Sequence, residues 1–211
     1  YSPYVFNSGT VLWWKLGEKI MAESLINLED SLANEIKENE GGLVLEPYKL
    51  QYTERDGTQV TENKYTVGYG TQITDREYND YIKLNEEQKI NFVNEKFNKK
   101  YSQAKKDANV YMEANGILNS PQSIKDSIIE MAFNMGRGSL QEKKGLMSFK
   151  GFASAIREGD YERAANELRY IDPNASEKKH TPYYNQVGPK GDQLESESRV
   201  GKIIDKVLSN L

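Results

Sequence analysis

The feature that most constrains the fold is a run of apolar residues at spacings of three and four. The run starts after Asn85 and contains Ile90, Val93, Phe97, Tyr101, Ala104, Ala108 and Tyr111. This periodicity predicts one buried face of an α-helix of about seven turns. Asn85 is a suitable N-cap, because Gln88 stands three residues later and completes a capping-box pair. A helix of this length either joins two lobes as a rod or serves as an ordinary core helix.

A second amphipathic helix is predicted over residues 25–40, where Leu25, Leu28, Leu32 and Ile36 recur at the same spacing. The Gly41-Gly42 pair ends this helix, because glycine takes the left-handed cap conformation at low cost. Glu40 therefore falls in the last turn, beside the negative end of the helix dipole, which disfavours an ionised carboxylate. A carboxyl group held in that way suits a general acid that works near neutral pH. The alternative for Glu40 is a solvated helix end.

Between these helices the sequence predicts short β-strands. The stretch from Gln51 to Lys64 is polar and contains Asp56-Gly57, a hairpin-turn signal. We expect a loop there, followed by a strand over residues 64–71 that ends in a Gly-x-Gly turn. A short helix capped by Thr74 or Asp75 then runs to Tyr81.

Helices dominate the rest of the chain. Ser120, followed by Pro121, is predicted to start a central core helix that ends at Gly136. Ser148 and Asp160 are predicted to cap the next two helices. A polar loop is expected over residues 172–192, before a last helix that carries Val200, Ile203, Ile204, Val207 and Leu208. The predicted fold class is α+β and mostly helical.

Composition excludes several classes of protein. The chain has 211 residues and no cysteine, which rules out a disulfide framework and a thiolate metal site. Its one histidine, His180, lies in a polar stretch and is expected at the surface, so we expect no metal centre and no cofactor. The net charge of −4 argues against a nucleic-acid partner. No apolar run approaches the length of a membrane span.

Residues 1–24 differ in character from the domain predicted over residues 25–211. The segment is aromatic and β-prone, and it contains Trp13 and Trp14. It is either an arm packed on its own domain or a docking strand or linker to an upstream part or a partner. In the second case the two tryptophans would anchor the contact.

Three blocks of this sequence resemble the phage-type lysozymes, the glycoside hydrolase family of T-even phage lysozyme. The blocks are residues 40–70 with Pro47-Tyr48-Lys49, residues 128–136 with Asn134-Met135-Gly136, and residues 149–168 followed by Tyr183-Tyr184-Asn185-Gln186. Their order matches the family, and so does the long helix between them, over roughly residues 26–208. The resemblance implies a lysozyme-like two-lobed fold. It has a small β lobe at about residues 42–75, a long inter-lobe helix and a larger helical lobe at about residues 85–211.

The resemblance also implies a reaction. The family cleaves the β-1,4 bond between N-acetylmuramic acid and N-acetylglucosamine in peptidoglycan, with inversion. Glu40 matches the glutamate of the family that protonates the leaving oxygen, and Thr66 matches the threonine that helps to hold the attacking water. An inverting hydrolase needs in addition an ionised carboxylate, and the aspartate that the family places after its Tyr-Lys pair is absent here. Asp56 is the nearest candidate and Glu54 a second one, although Asp-Gly is also a common turn pair.

Substrate contacts are implied in the C-terminal part. Tyr184, Asn185 and Gln186 match a loop that faces the cleft in the family, where rings and amides suit sugars and N-acetyl groups. The alternative is that this loop caps the C-terminal core. Arg199 matches a region of basic residues near the cleft, or else it pairs with Glu195, four residues earlier.

The implied function is that of a muramidase acting on bacterial peptidoglycan, in one of two settings. One is a free endolysin released to the host cell wall or periplasm. The other is a virion-borne lysozyme attached to phage tail or virion proteins through residues 1–24. The N-terminal arm and the acidic charge favour the second, because a tethered enzyme needs less electrostatic steering. The alternatives are a catalytically inactive lysozyme fold, serving as a structural or peptidoglycan-binding part of a phage tail or secretion device, and a bacterial toxin.

Overall fold

The computed structural model describes residues 31–53, 59–139, 141–142 and 144–211. These residues belong to two units of the chain, Tyr1–Gly42 and Leu43–Leu211. The predicted N-terminal arm, residues 1–24, lies outside the described residues. The described part is a mixed α+β structure, mostly helical, with a small antiparallel sheet, which confirms the predicted fold class.

In the first unit, residues 31–39 are helical and form the described part of helix α1. Leu32 and Ile36 lie one turn apart on this helix, and both side chains are buried. The predicted apolar face of the helix is therefore confirmed where the structure describes it.

Helix α1 ends in a Schellman motif. The Gly42 N–H donates to the carbonyl of Lys37 at 3.0 Å, and the Gly41 N–H donates to the carbonyl of Glu38 at 2.9 Å. Gly41 has a φ of 95°, a conformation that favours glycine. Glu40 is therefore the C-cap residue of α1, so the predicted helix end is confirmed.

The second unit begins with a sheet of three antiparallel strands in sequence order: β1 (Val44–Thr53), β2 (Gln59–Gly68) and β3 (Thr71–Ile73). Strand β2 is central. Its Thr66 lies opposite Tyr48 of β1 on one side and Gln72 of β3 on the other. The end of β2 is thus held in place by neighbours on both edges.

The strands are longer than the sequence predicts. The prediction of a loop from Gln51 to Lys64 is wrong over most of that range, because β1 continues to Thr53 and β2 begins at Gln59. The first half of β2 is polar, and its side chains are exposed or only half-buried. A sequence reveals a strand through alternating apolar burial, and this part of the hairpin has little of it.

Helices α2 (Asp75–Tyr81) and α3 (Glu86–Ala114) begin where the sequence predicts. Thr74 forms a capping box with Glu77, and Asn85 forms one with Gln88. Helix α3 has 29 residues. Its predicted apolar face is buried at Val93, Phe97, Tyr101, Ala104, Ala108 and Tyr111.

Helix α3 packs against the sheet with its first half and against other helices with its second half. The ring of Phe97 meets Tyr69, in the turn after β2, edge-on at 5.3 Å, and meets Phe133 at 5.4 Å. At the end of β2, Gly68 approaches Val93 so closely that a Cβ on Gly68 would lie 2.6 Å from the Val93 Cβ. A glycine is therefore needed where the sheet meets α3.

The remaining helices are α4 (Gln122–Met135), α5 (Lys150–Glu158), α6 (Tyr161–Arg169), α7 (Pro182–Val187) and α8 (Arg199–Leu208). Helix α4 is the central core helix, as predicted, with Ile124, Ile128 and Met131 fully buried. Asp160 caps α6, also as predicted. Within the described part of the chain, no helix combines the length and the apolar character that crossing a membrane requires.

Two predicted caps are wrong. The Ser120 hydroxyl donates to the carbonyl of Ile117 at 2.7 Å, and Pro121 is the N-cap of α4. The Ser148 hydroxyl donates to the carbonyl of Gly145 at 2.7 Å, and α5 begins two residues later. Both serines close the preceding turn, a local hydrogen bond that competes with capping.

The prediction of a polar loop over residues 172–192 is also wrong in part, because this stretch contains α7. Thr181 caps this helix and Pro182 occupies its first position. Both are ordinary start signals. The helix has only six residues, too few for an apolar periodicity to become visible in the sequence.

We expect Gly68→Ala to destabilise the protein more than Gly116→Ala. Both glycines have positive φ, 60° and 69°, so backbone strain makes alanine cost about 1–2 kcal/mol at each position. Only at Gly68 would the new Cβ meet Val93, whereas open space surrounds Gly116. Overpacking adds about 1–3 kcal/mol at Gly68. Urea unfolding of the two variants measures the difference, and equal losses would contradict a tight contact between β2 and α3.

Candidate active site

Glu40, the candidate acid, occupies the C-cap position of α1 and is half-buried. Its N–H continues the helix by donating to the carbonyl of Ile36 at 2.9 Å. The last carbonyls of a helix have no partner within the helix and carry partial negative charge. The Schellman motif fixes the backbone on the C-terminal side of Glu40.

Thr66 lies near the end of β2 and is fully buried. Among the described residues, no protein group forms a hydrogen bond with its hydroxyl oxygen, Oγ1. A buried hydroxyl without a partner costs about 1–3 kcal/mol. Native structures usually supply such a group with a partner, often an ordered water. The Thr66 hydroxyl is therefore a buried polar group whose partner the described protein groups do not supply.

The predicted second carboxylate falls outside the described residues. Asp56 and its alternative, Glu54, both belong to the segment of residues 54–58 that connects β1 to β2. The two strands end and resume at Thr53 and Gln59. The assignment of the second carboxylate therefore stays a prediction from the sequence.

Tyr184, Asn185 and Gln186 lie together on the short helix α7. The Thr181 hydroxyl accepts from the Tyr184 N–H at 3.0 Å and donates to the carbonyl of Leu168 at 2.7 Å, so it ties the start of α7 to the end of α6. Asn185 and Gln186 are exposed, whereas Tyr184 is half-buried. The Asn185 amide donates to the carbonyl of His180 at 3.5 Å, and both amides are accessible to solvent from a fixed helix start.

A cavity of about 280 Å³ adjoins Gln186. Phe149 and Tyr183 form its aromatic wall, with their ring centroids 6.1 Å apart in an edge-on arrangement. Lys144 and Ser148 add polar groups to the lining. A mostly apolar wall with a few polar groups is typical of sites that bind small organic ligands.

A second cavity, of about 400 Å³, shares Ser148 and Phe149 with the first and is lined by Glu167. Burial raises the pKa of the Glu167 carboxyl. Gly151, in the first turn of α5, lies so close to it that a Cβ at this position would fall 2.1 Å from Glu167 Oε2. Sequence analysis missed Glu167, because its position on α6 looks like any polar helix residue until the fold brings α5 against it.

Tyr184 is fixed by its hydroxyl and by its ring. The hydroxyl donates to Glu195 Oε1 at 2.8 Å, and the ring stacks on the exposed His180 at 4.1 Å. Burial, together with the hydrogen bond to Glu195, raises the pKa of Tyr184 to about 12. Glu195 also accepts from the guanidinium of Arg169, and these hydrogen bonds hold the pKa of Glu195 below its usual range.

Arg199 contacts Asn134 rather than Glu195. One guanidinium nitrogen of Arg199 donates to Asn134 Oδ1 at 2.5 Å. The predicted pair with Glu195 is wrong, because Glu195 belongs to a separate 3₁₀ turn that precedes α8. The Asn134 amide also donates to the Tyr183 hydroxyl at 3.4 Å. Asn134 thus connects the end of α4 to both α7 and α8.

Comparison of the chain with protein-family models, with curated proteins and with solved structures found no match. The function is therefore inferred from the residues themselves and from their geometry. Within the ranges that the structure describes, no cluster of three or more histidine, cysteine, aspartate or glutamate residues could hold a metal ion.

We expect Thr66→Val to leave the free energy of unfolding unchanged or to raise it by about 1 kcal/mol, because it removes a buried hydroxyl that has no protein partner. Thr181→Val is the matched control. The Thr181 hydroxyl is also buried but makes two hydrogen bonds, so its loss should cost about 1–3 kcal/mol. Urea unfolding compares the two. Equal losses would mean that the Thr66 hydroxyl makes a hydrogen bond to a protein group in the folded state.

Proposed function

We propose that this protein is a muramidase, which hydrolyses the β-1,4 bond between N-acetylmuramic acid and N-acetylglucosamine in bacterial peptidoglycan. Thr66 carries the proposal. The resemblance to phage-type lysozymes assigns a water-holding threonine to this position, and its hydroxyl is buried without a partner among the described protein groups. Such a hydroxyl can hold a water without competition from a neighbouring side chain.

In the proposed reaction, Glu40 donates its proton to the glycosidic oxygen as the bond to the anomeric carbon breaks. The water held by Thr66 attacks that carbon from the opposite face. An ionised carboxylate takes the proton of the water, and the sugar is released with inverted configuration. Asp56 is our first candidate for this base and Glu54 the second. The resemblance to phage-type lysozymes assigns the role of acid to Glu40, which lies half-buried at the end of α1.

Asn185 and Gln186 are the proposed sugar contacts. Both side chains are exposed, and an amide can donate and accept in the same plane, as the N-acetyl group of the substrate requires. Tyr184 contributes the exposed part of its ring, while its hydroxyl is engaged with Glu195. The cavity beside Gln186 offers aromatic surface for a sugar ring.

The proposed setting is a phage infection, with the enzyme either carried by the virion or released to the host cell wall or periplasm. Residues 1–24 would attach it to tail or virion proteins. The net charge of −4 supports attachment, because an acidic protein gains little from attraction to an anionic wall. The two-lobed lysozyme-like arrangement belongs to this proposal, supported by the small sheet followed by α3 and the helices after it.

The test is the release of reducing ends, together with loss of turbidity, from purified peptidoglycan. We expect activity in the wild type and a loss of about 100-fold or more in Glu40→Gln, the contribution typical of a general acid. Glu38→Gln is the matched control, because it makes the same change at an exposed position of the same helix end. Asp56→Asn and Glu54→Gln, assayed in parallel, identify the second carboxylate.

Thr66→Val separates catalysis from folding in the same assay. We expect it to lose most activity while unfolding at an unchanged or higher urea concentration. A folded wild type that binds peptidoglycan but releases no reducing ends would overturn the proposal. That result would favour the structural or peptidoglycan-binding alternative.

A further inference from the structure

We infer that Glu195 is a positioning residue that fixes helix α7 and thereby aims the proposed sugar contacts, Asn185 and Gln186. The kinetic part of this inference rests on the proposed muramidase activity. The structural part, that Glu195 determines how firmly α7 is held, stands on the geometry alone.

Helix α7 depends on contacts with the rest of the protein. It has six residues, whereas isolated helices shorter than about 12–15 residues are marginal in water. Its buried side is held by Tyr183, which is 5% exposed, and its start is capped by Thr181. The next residue, Tyr184, fastens the helix to Glu195 through its hydroxyl. Removing that contact leaves the half of α7 nearest solvent without its main anchor.

Glu195 uses both carboxylate oxygens. Oε1 accepts from Tyr184 at 2.8 Å and from Arg169 Nε at 3.0 Å, and Oε2 accepts from a terminal nitrogen of Arg169 at 2.7 Å. Arg169 is the last residue of α6. The fork of two parallel bonds fixes the orientation of the carboxylate. The Arg169 and Glu195 side chains are only 20% and 34% exposed, so water screens the pair incompletely.

The backbone of Glu195 is fixed as firmly as its side chain. The Ser198 hydroxyl donates to the Glu195 carbonyl at 2.6 Å while it caps α8. A Cβ on Gly201, in the first turn of α8, would lie 1.6 Å from the same carbonyl oxygen. The turn is therefore seated directly on α8. Because the backbone of Glu195 is packed on α8, the carboxylate that binds Tyr184 is held in a fixed position relative to α8.

Loss of this anchor should affect substrate binding more than the chemical step. Asn185 and Gln186 are proposed to contact the sugar and not the reacting atoms. A looser α7 weakens contacts that the substrate and the transition state share, which raises KM and leaves kcat nearly unchanged. A residue needed only for folding would lower the amount of active protein and would not raise KM.

The kinetic experiment compares Glu195→Gln, Tyr184→Phe and the double variant on purified peptidoglycan. Each single variant should raise KM about three- to tenfold, the effect of one charge-assisted hydrogen bond. The double variant should have a KM no higher than that of Glu195→Gln alone, because the Tyr184 hydroxyl acts through Glu195. Glu162→Gln, the same change at an exposed position of α6, should leave KM unchanged. A KM of Glu195→Gln equal to that of the wild type would overturn the inference.

Hydrogen exchange provides a readout that needs no activity. The amides of Asn185 and Gly188, which donate to the carbonyls of Thr181 and Tyr184, should exchange about tenfold faster in Glu195→Gln, by local opening of α7. They should be unchanged in Glu162→Gln. If the wild type releases no reducing ends, the proposed function fails, and exchange alone decides whether Glu195 positions α7. Unchanged exchange in Glu195→Gln would overturn the inference whatever the activity.

Discussion

The ring of Phe97 joins the β-sheet to the helices of the second unit. It contacts Tyr69, beside the end of β2, and Phe133, on the central helix α4. It is almost completely buried, and closely packed interiors transmit small displacements rather than absorb them. The close approach of Gly68 to α3 adds a second constraint at the same point. The position of Thr66, two residues before Gly68, therefore depends on how α3 is packed.

Two groups of the second unit are held at a cost to stability. Thr66 buries a hydroxyl without a partner among the described groups. Burial raises the pKa of Glu167, so the folded state loses stability as pH rises through that pKa and the carboxyl ionises. Proteins tend to break such local rules where function requires it. The cost at Thr66 is the one that the muramidase proposal uses directly.

Local sequence signals predict the helices well and the connections poorly. The capping box of Asn85 and the cap at Thr74 are confirmed, because each needs only residues three positions apart. The polar half of the β1–β2 hairpin escapes prediction, because pairing rather than burial holds it together. The anchor of α7 escapes as well, since Arg169 and Glu195 are 26 residues apart in the sequence. Only the folded chain brings those two side chains to Tyr184.

The most direct test of the central claim is the configuration of the sugar at the moment of release. Proton NMR of purified peptidoglycan in the first minutes of digestion distinguishes the two anomers of the new reducing end before they equilibrate. Inverting hydrolysis of a β-1,4 bond releases the α anomer of N-acetylmuramic acid first, and we predict that result for the wild type. Early appearance of the β anomer would contradict the inverting use of Glu40 and a water held by Thr66. Absence of any new reducing end would contradict the assignment of the protein as a hydrolase.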